Sequence, residues 1–108
     1  MQKQVSDGIV ICCDFCHLEW DGHSGMVEGH HGSAICLNCM EKALREKKMG
    51  EGKYACTLCL RINMPPSMER WSHPSHPEAL VCQECLYQAA KAMTKAPHVD
   101  WKWKGPGH

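Results

Sequence analysis

The chain has 108 residues, with 12 basic and 12 acidic side chains, nine cysteines, but only one Phe and two Tyr. With so few large apolar residues, each half of the chain, about fifty residues long, would be only marginally stable. Disulfide cross-links or bound metal must therefore contribute to the free energy of folding. The balanced charge gives little support to a general nucleic-acid binder, which needs an excess of basic residues.

The first residues of the chain, 1–8, lack the apolar segment of a signal peptide. No later run approaches the roughly 20 apolar residues that cross a bilayer. We therefore expect a cytoplasmic protein with no membrane partner. In that reducing compartment, closely spaced cysteines are typical of metal binding rather than of a disulfide framework.

Eight of the nine cysteines form four Cys-x-x-Cys pairs, arranged as two sets of two. Within a set, 19 or 22 residues separate the two pairs, close to the spacing of four-cysteine zinc sites. Zinc favours a tetrahedron of thiolates, and such a closed shell leaves no position for a substrate. The sequence therefore predicts two zinc ions and no catalytic site. The predicted ligands are Cys13, Cys16, Cys36 and Cys39 for the first ion, and Cys56, Cys59, Cys82 and Cys85 for the second.

The first repeat is predicted over residues 8–50. A β-rich lead at residues 9–11 precedes the first cysteine pair, and a loop rich in Gly and His then leads to a short strand at residues 34–35. A helix is predicted over residues 37–48, which are good helix formers, and Gly50 is expected to end it. One face of this helix carries Leu37, Met40 and Leu44.

The second repeat, predicted over residues 51–96, follows the same order. Residues 53–55 lead to its first cysteine pair, and a Pro/Met/His-rich loop leads to a strand at residues 80–81. A helix is predicted over residues 83–94, and Pro97 is expected to stop it. Its apolar stripe consists of Leu86, Ala89, Ala90 and Met93.

Each repeat is thus predicted to be a short β-hairpin followed by one helix. The expected fold class is small α+β, metal-stabilised, built from two tandem repeats of treble-clef or zinc-ribbon type. The joint at residues 49–53 is too short for independent domains, so we expect the repeats to touch. Residues 97–108 form a tail with alternating Trp and Lys.

One pattern in the first repeat is more specific than its cysteine spacing. Residues 10–48 contain three features in order. They begin with the knuckle Cys13-Asp-Phe-Cys16, continue with a loop that ends at Gly29, and finish with an apolar strand that leads into Cys36-Leu-Asn-Cys39 and a helix. This order resembles the N-terminal zinc-binding domain of the ClpX unfoldase family, which has a treble-clef-like fold. The second repeat matches less closely, because it has Leu58 in place of the knuckle Phe and a longer loop.

The resemblance implies a dimerisation and docking unit that receives adaptors and substrate segments. It does not imply unfoldase activity, because the sequence contains no Gly-rich phosphate loop of Walker type. By analogy, the two repeats are expected to pack as a pseudo-symmetric pair that imitates such a dimer within one chain.

Three groups of residues lie outside the predicted zinc ligands. Cys12 is interpreted as a buried strand residue, because the spacing to the next pair fits Cys13 better. The apolar loop at residues 64–71 is interpreted as core, with a peptide-binding groove as the alternative. Four loop histidines are interpreted as polar surface residues, with an additional metal site as the alternative: His30, His31, His73 and His76.

The sequence favours a non-catalytic zinc scaffold that mediates protein–protein interaction, as an adaptor or by forming a homo-oligomer. The alternative is a nucleic-acid-binding zinc finger, for which Trp101-Lys-Trp-Lys104 supplies stacking rings and cations. The competing interpretations of that tail are an added strand and packing of Trp103 against a repeat. A redox dithiol, an iron–sulfur cluster or an enzyme using Cys12 stays open as a further alternative.

Overall fold

Each set of cysteines organises the chain around it into a tight turn, an antiparallel hairpin and a helix. The computed structural model describes residues 2–5, 8–22 and 24–105. The end of the predicted tail, 106–108, and the side chain of His31 lie outside the described residues.

The described chain contains three two-stranded antiparallel sheets and two α-helices. Its N-terminal hairpin is formed by β1 (Gln2–Val5) and β2 (Gly8–Ile11). The first repeat continues with β3 (Met26–Glu28), a 3-10 turn (His30–Gly32), β4 (Ala34–Cys36) and α1 (Leu37–Glu46). The second repeat contains β5 (Arg70–His73), β6 (His76–Cys82) and α2 (Gln83–Lys95). The small α+β class, with one hairpin and one helix for each cysteine set, is confirmed.

The helices follow the sequence patterns with one correction at a helix end. Both begin directly after a cysteine, Cys36 or Cys82, in extended conformation. Helix α1 ends at Glu46, two residues before the predicted end, because Lys48 instead exchanges two backbone hydrogen bonds of 3.0 Å with Arg70. The apolar stripe of α2 is buried as predicted, and α2 ends within one residue of its expected limit, at Lys95.

The two repeats pack against each other, and each helix contacts the hairpin of the other repeat. Helix α1 contacts β5, where the Trp71 indole N–H donates to a Glu46 carboxylate oxygen at 3.0 Å, and α2 contacts β3. The two knuckles take part in the same way. The Phe15 ring lies 6.0 Å from the Trp71 ring, and the His30 N–H donates to the Leu58 carbonyl at 2.8 Å. One apolar core therefore includes both repeats.

Two residues of the apolar loop at 64–71 belong to this core. Met64 and Trp71 are each only 4% exposed. The core interpretation of these two side chains is therefore confirmed. Residues 53–55, expected to lead the second repeat, form no strand, but Tyr54 makes an isolated β-bridge with Met64.

A substitution at Gly29 tests the contact between the repeats. A Cβ at this position would lie 2.6 Å from the Leu58 carbonyl oxygen, a backbone atom of the other repeat that has no freedom to rotate away. We expect Gly29→Ala to lower the free energy of unfolding by about 1–3 kcal/mol, as overpacking does elsewhere. Urea unfolding of metal-loaded protein measures the change. The exposed neighbour Glu28 provides the control Glu28→Ala, which should stay within about 0.5 kcal/mol of wild type; equal stability of the two variants would contradict this packing.

Tyr54 gives a second prediction, because its buried hydroxyl has no hydrogen-bond partner among the described residues. Burial raises the pKa of Tyr54 to about 12. An unfolded Tyr has a pKa of about 10, so the folded state retains its proton longer and stability falls as pH rises from about 10 to 12. We expect Tyr54→Phe to raise the free energy of unfolding by about 1 kcal/mol at neutral pH, because no desolvated hydroxyl remains. The advantage should grow above pH 10 in denaturant titrations; a less stable Phe variant would refute the orphaned hydroxyl.

Candidate metal centres

The first centre begins with a knuckle, the turn that carries Cys13 and Cys16. The Cys13 N–H donates to the Leu18 carbonyl at 3.0 Å, and the His17 N–H donates to the Cys13 carbonyl at 2.9 Å. His17 closes this turn in the left-handed region, with φ of 65°. The Phe15 N–H points at the Cys13 sulfur, 3.4 Å away. The turn therefore directs its sulfurs inward and supplies a backbone donor to one of them.

The second knuckle has the same backbone geometry. The Cys56 N–H donates to the Arg61 carbonyl at 3.0 Å, and the Leu60 N–H donates to the Cys56 carbonyl at 2.9 Å. Leu60 takes the left-handed conformation, with φ of 61°. Because the same hydrogen bonds recur at equivalent positions, the duplication visible in the sequence extends to the local structure.

The other two sulfurs of each set come from a helix N-terminus. Cys36 precedes α1 and Cys39 lies in its first turn, while Cys82 and Cys85 hold the same positions at α2. Each capping residue also bonds back to the knuckle. The Cys36 N–H lies 3.5 Å from the Cys13 sulfur, and the matching donor of the second repeat lies 3.4 Å from its own knuckle sulfur.

The sulfur positions in both sets fit a four-coordinate metal ion. Within each set, the sulfurs lie within 4.8 Å of one another. The Cys16 and Cys36 sulfurs are 3.8 Å apart, and the Cys56 and Cys85 sulfurs are 3.7 Å apart. A tetrahedron with zinc–sulfur bonds of about 2.3 Å has edges of about 3.8 Å, whereas a disulfide bond is only about 2.05 Å long. The structure thus brings together all eight predicted ligands, as free cysteines in two separate sets that fit two metal ions.

Hydrogen bonds among the thiols of each set shift their pKa values in opposite directions. Hydrogen bonds with the Cys36 and Cys39 side chains hold the pKa of Cys13 far below that of an ordinary thiol. The same contact with Cys13 raises the pKa of Cys36 to about 12. In the second set, the pKa of Cys56 falls and that of Cys82 rises to about 11 through their mutual hydrogen bond. The thiols of each set therefore compete for negative charge, and a bound cation allows four thiolates to lie together.

An arginine distinguishes the second centre from the first. Arg61 Nε donates to the Cys59 sulfur at 3.2 Å, and Nη2 lies 3.8 Å from the Cys82 sulfur. The same Nη2 donates to a Glu84 carboxylate oxygen at 2.6 Å, which holds the guanidinium in place. In the first knuckle the corresponding residue is Leu18, which is apolar and 68% exposed. The second centre therefore has a fixed positive charge beside its thiolates.

We expect Arg61→Ala to make the second centre more reactive, because the guanidinium neutralises part of the thiolate charge and occupies sulfur lone pairs. Zinc transfer to a competing chelator should accelerate roughly tenfold, the size typical of outer-shell substitutions. Alkylation followed by mass mapping should locate the change at Cys59 and Cys82. Arg45→Ala, at an exposed position in the last turn of α1, is the control. Equal acceleration at both centres, or none, would contradict this role for Arg61.

The structure also shows where Cys12 and the loop histidines outside the zinc-ligand sets lie. Cys12 is buried at 1% exposure, as predicted, and lies directly after β2 in a backbone bridge with Glu19. His73 and His76 do not lie in an irregular loop, because they face each other across the β5–β6 hairpin. The hairpin places His76 beside His17 and Glu78. Neither His17 nor Glu78 was a candidate from the sequence, because the contact joins residues from different repeats.

The Trp/Lys tail folds back on α2 through its described residues. The backbone N–H of Trp103 donates to the Thr94 hydroxyl at 2.9 Å, and Lys102 Nζ donates to the Thr94 carbonyl at 2.7 Å. The Trp103 ring lies 5.1 Å from the Tyr87 ring. Trp101 is also partly buried against the core. Packing of Trp103 against a repeat is confirmed, whereas the added strand is wrong for the described tail residues 101–105, which form none.

Comparison with known proteins gives no family for the chain. No protein-family model, curated protein or solved structure matches it. The resemblance of residues 10–48 to the ClpX zinc-binding domain therefore stays a prediction from the sequence pattern. Within the described residues, no helix has the length and apolar character required to span a bilayer.

Proposed function

We propose that this chain is a zinc scaffold without catalytic activity, which acts in the cytoplasm by binding another protein or a second copy of itself. The sulfur geometry carries the zinc part of the proposal, because the edges of 3.7 and 3.8 Å fit tetrahedral zinc–thiolate bonds. Four protein ligands complete the shell of a structural zinc ion, so neither centre offers a place to a substrate.

Exposed apolar residues on the two knuckles support a role in binding. Leu18 of the first knuckle is 68% exposed, and Ile62, just after the second, is 72% exposed. Beside the second knuckle, a groove of about 360 Å³ is lined by Val27, Leu58 and Ala89, so it draws on both repeats. Exposed aliphatic side chains, and a groove that joins apolar residues with the polar Glu28, His30 and Gln88, suit an amphipathic peptide segment. The resemblance of the first repeat to a docking and dimerisation domain points the same way.

Charge and the position of the tail favour a protein partner over a nucleic acid. Eight thiolates and two zinc ions added to the balanced side chains give a formal charge near −4. Nucleic-acid binders instead neutralise phosphates with a basic surface. The Trp103 ring, one of the two tail indoles that could stack on a base, is engaged with Tyr87.

Metal analysis tests the zinc part of the proposal. We expect two zinc ions per chain, and loss of far-UV circular dichroism when a strong chelator removes them, because each ion contributes on the order of 10–16 kcal/mol of apparent binding energy. Cys39→Ser and Cys85→Ser should each lose one ion, whereas the control Cys12→Ser should retain both. Iron in place of zinc, a single ion, or a fold indifferent to the chelator would contradict the scaffold.

Partner binding is tested by affinity capture with the zinc-loaded chain and the double variant Leu60→Ser/Ile62→Ser. Both side chains are exposed, so the variant should retain its two zinc ions while it loses the captured protein. Lys91→Ser, exposed on α2, is the control and should capture like wild type. Fluorescence anisotropy with DNA and RNA at low salt examines the alternative. Tight binding there that weakens steeply with added salt would overturn the proposal in favour of a nucleic-acid binder.

A further inference from the structure

A third group of metal-ligating side chains lies where the two repeats meet. His17 comes from the first knuckle, and His76 and Glu78 come from β6 of the second repeat. One donor atom from each of the three lies within 4.8 Å of the others, and none belongs to a cysteine set. We propose that these residues bind a further divalent transition-metal ion, in an open nitrogen and oxygen site that links the repeats.

The distances within the group suit such an ion. His17 Nε2 lies 3.5 Å from Glu78 Oε1, and His76 Nδ1 lies 4.0 Å from the same oxygen. Zinc–nitrogen and zinc–oxygen bonds of about 2.1 Å place neighbouring ligands of a tetrahedron about 3.4 Å apart. The first pair already has this separation, and the second reaches it through a side-chain movement of about half an ångström.

The backbone holds the two imidazoles close together, with their rings stacked, before any ion binds. Because an imidazole nitrogen coordinates in its ring plane, one ring must rotate to bring both nitrogens to the same ion. The His17 N–H donates to the Cys13 carbonyl at 2.9 Å, and the His17 ring reaches His76 and Glu78 of the other repeat. His76 is fixed by its pairing with His73 at the end of the β5–β6 hairpin. The His17 and His76 rings stack with their centroids 3.8 Å apart. A loaded first centre therefore also positions a ligand of the third site.

His73 lies close to the group but has a different role. Its Nδ1 accepts a hydrogen bond of 3.0 Å from the Ser75 N–H, which closes the turn between β5 and β6. Its ring lies 5.6 Å from the ring of His76 and packs edge-on against Trp71. His73 therefore supports the orientation of His76 rather than supplying a third nitrogen.

The donor set defines the class of ion. Two imidazoles and one carboxylate suit borderline ions such as Zn²⁺, Co²⁺ and Ni²⁺, whereas Ca²⁺ and Mg²⁺ require mainly oxygen ligands. The side chains of His17, His76 and Glu78 are 36%, 32% and 62% exposed, so an ion can enter from solvent. Three protein ligands also leave one position of a tetrahedron for water. The site is thus exchangeable, in contrast to the closed cysteine centres.

Metal titration of the full chain, already loaded with two zinc ions, tests the proposal. Isothermal titration calorimetry with Zn²⁺ should show a third equivalent, absent from Glu78→Gln and His76→Ala. Added Co²⁺ should give ligand-field absorption without the thiolate-to-cobalt charge-transfer band that would mark exchange into a cysteine set. The melting temperature should rise with the third equivalent in wild type but not in Glu78→Gln, because the ion binds only docked repeats.

Matched controls separate this site from adventitious binding by other histidines and carboxylates. His98→Ala and Glu51→Gln alter exposed residues elsewhere and should retain the third equivalent. Glu78 is mostly exposed, so its variant should fold normally, which the retained content of two zinc ions and an unchanged circular dichroism spectrum will verify. The proposal is overturned if wild type binds no third ion, if Glu78→Gln binds it equally well, or if only the control variants lose it. In those cases the group is a polar surface contact between His17 and Glu78.

Discussion

The convergence of four sulfurs, two from a knuckle and two from a helix N-terminus, is the constraint on which the rest of the fold depends. It fixes where each helix begins, because Cys36 and Cys82 are both the capping residues and members of a sulfur set. It also fixes the hairpin, because the strand before each helix must return to its own knuckle. Under the proposed zinc binding, a single ion per repeat would supply free energy comparable to the whole stability of a small domain, which a chain with one Phe needs.

The second constraint on the fold is the packing of each helix against the hairpin of the other repeat. Neither helix covers its apolar face with its own hairpin alone, since α1 contacts β5 and α2 contacts β3. The knuckles repeat this arrangement, with Phe15 against Trp71 and Leu58 against the turn after β3. Each repeat therefore contains a complete set of four sulfurs of its own, but the two repeats share one apolar core.

Cysteine spacing and helical periodicity were sufficient to predict the local structure. The two sulfur sets, both helix starts and the buried stripe of α2 follow from patterns that lie close together in the sequence. What the sequence did not reveal depends on contacts between distant residues. Helix α1 ends early because Lys48 pairs with Arg70, and the spatial group of His17, His76 and Glu78 exists only because the repeats dock. Strand β1 was also missed, because its composition, Gln-Lys-Gln-Val, has no apolar alternation that favours a strand.

The corresponding positions Leu18 and Arg61 make the two knuckles chemically different. A true homodimer displays every surface twice, so a ligand can approach it in two equivalent orientations. Here one knuckle presents an exposed leucine, and the other presents a guanidinium held between sulfurs and Glu84. Any molecule that contacts both knuckles therefore meets two different ends, and it must bind once and in a single polarity.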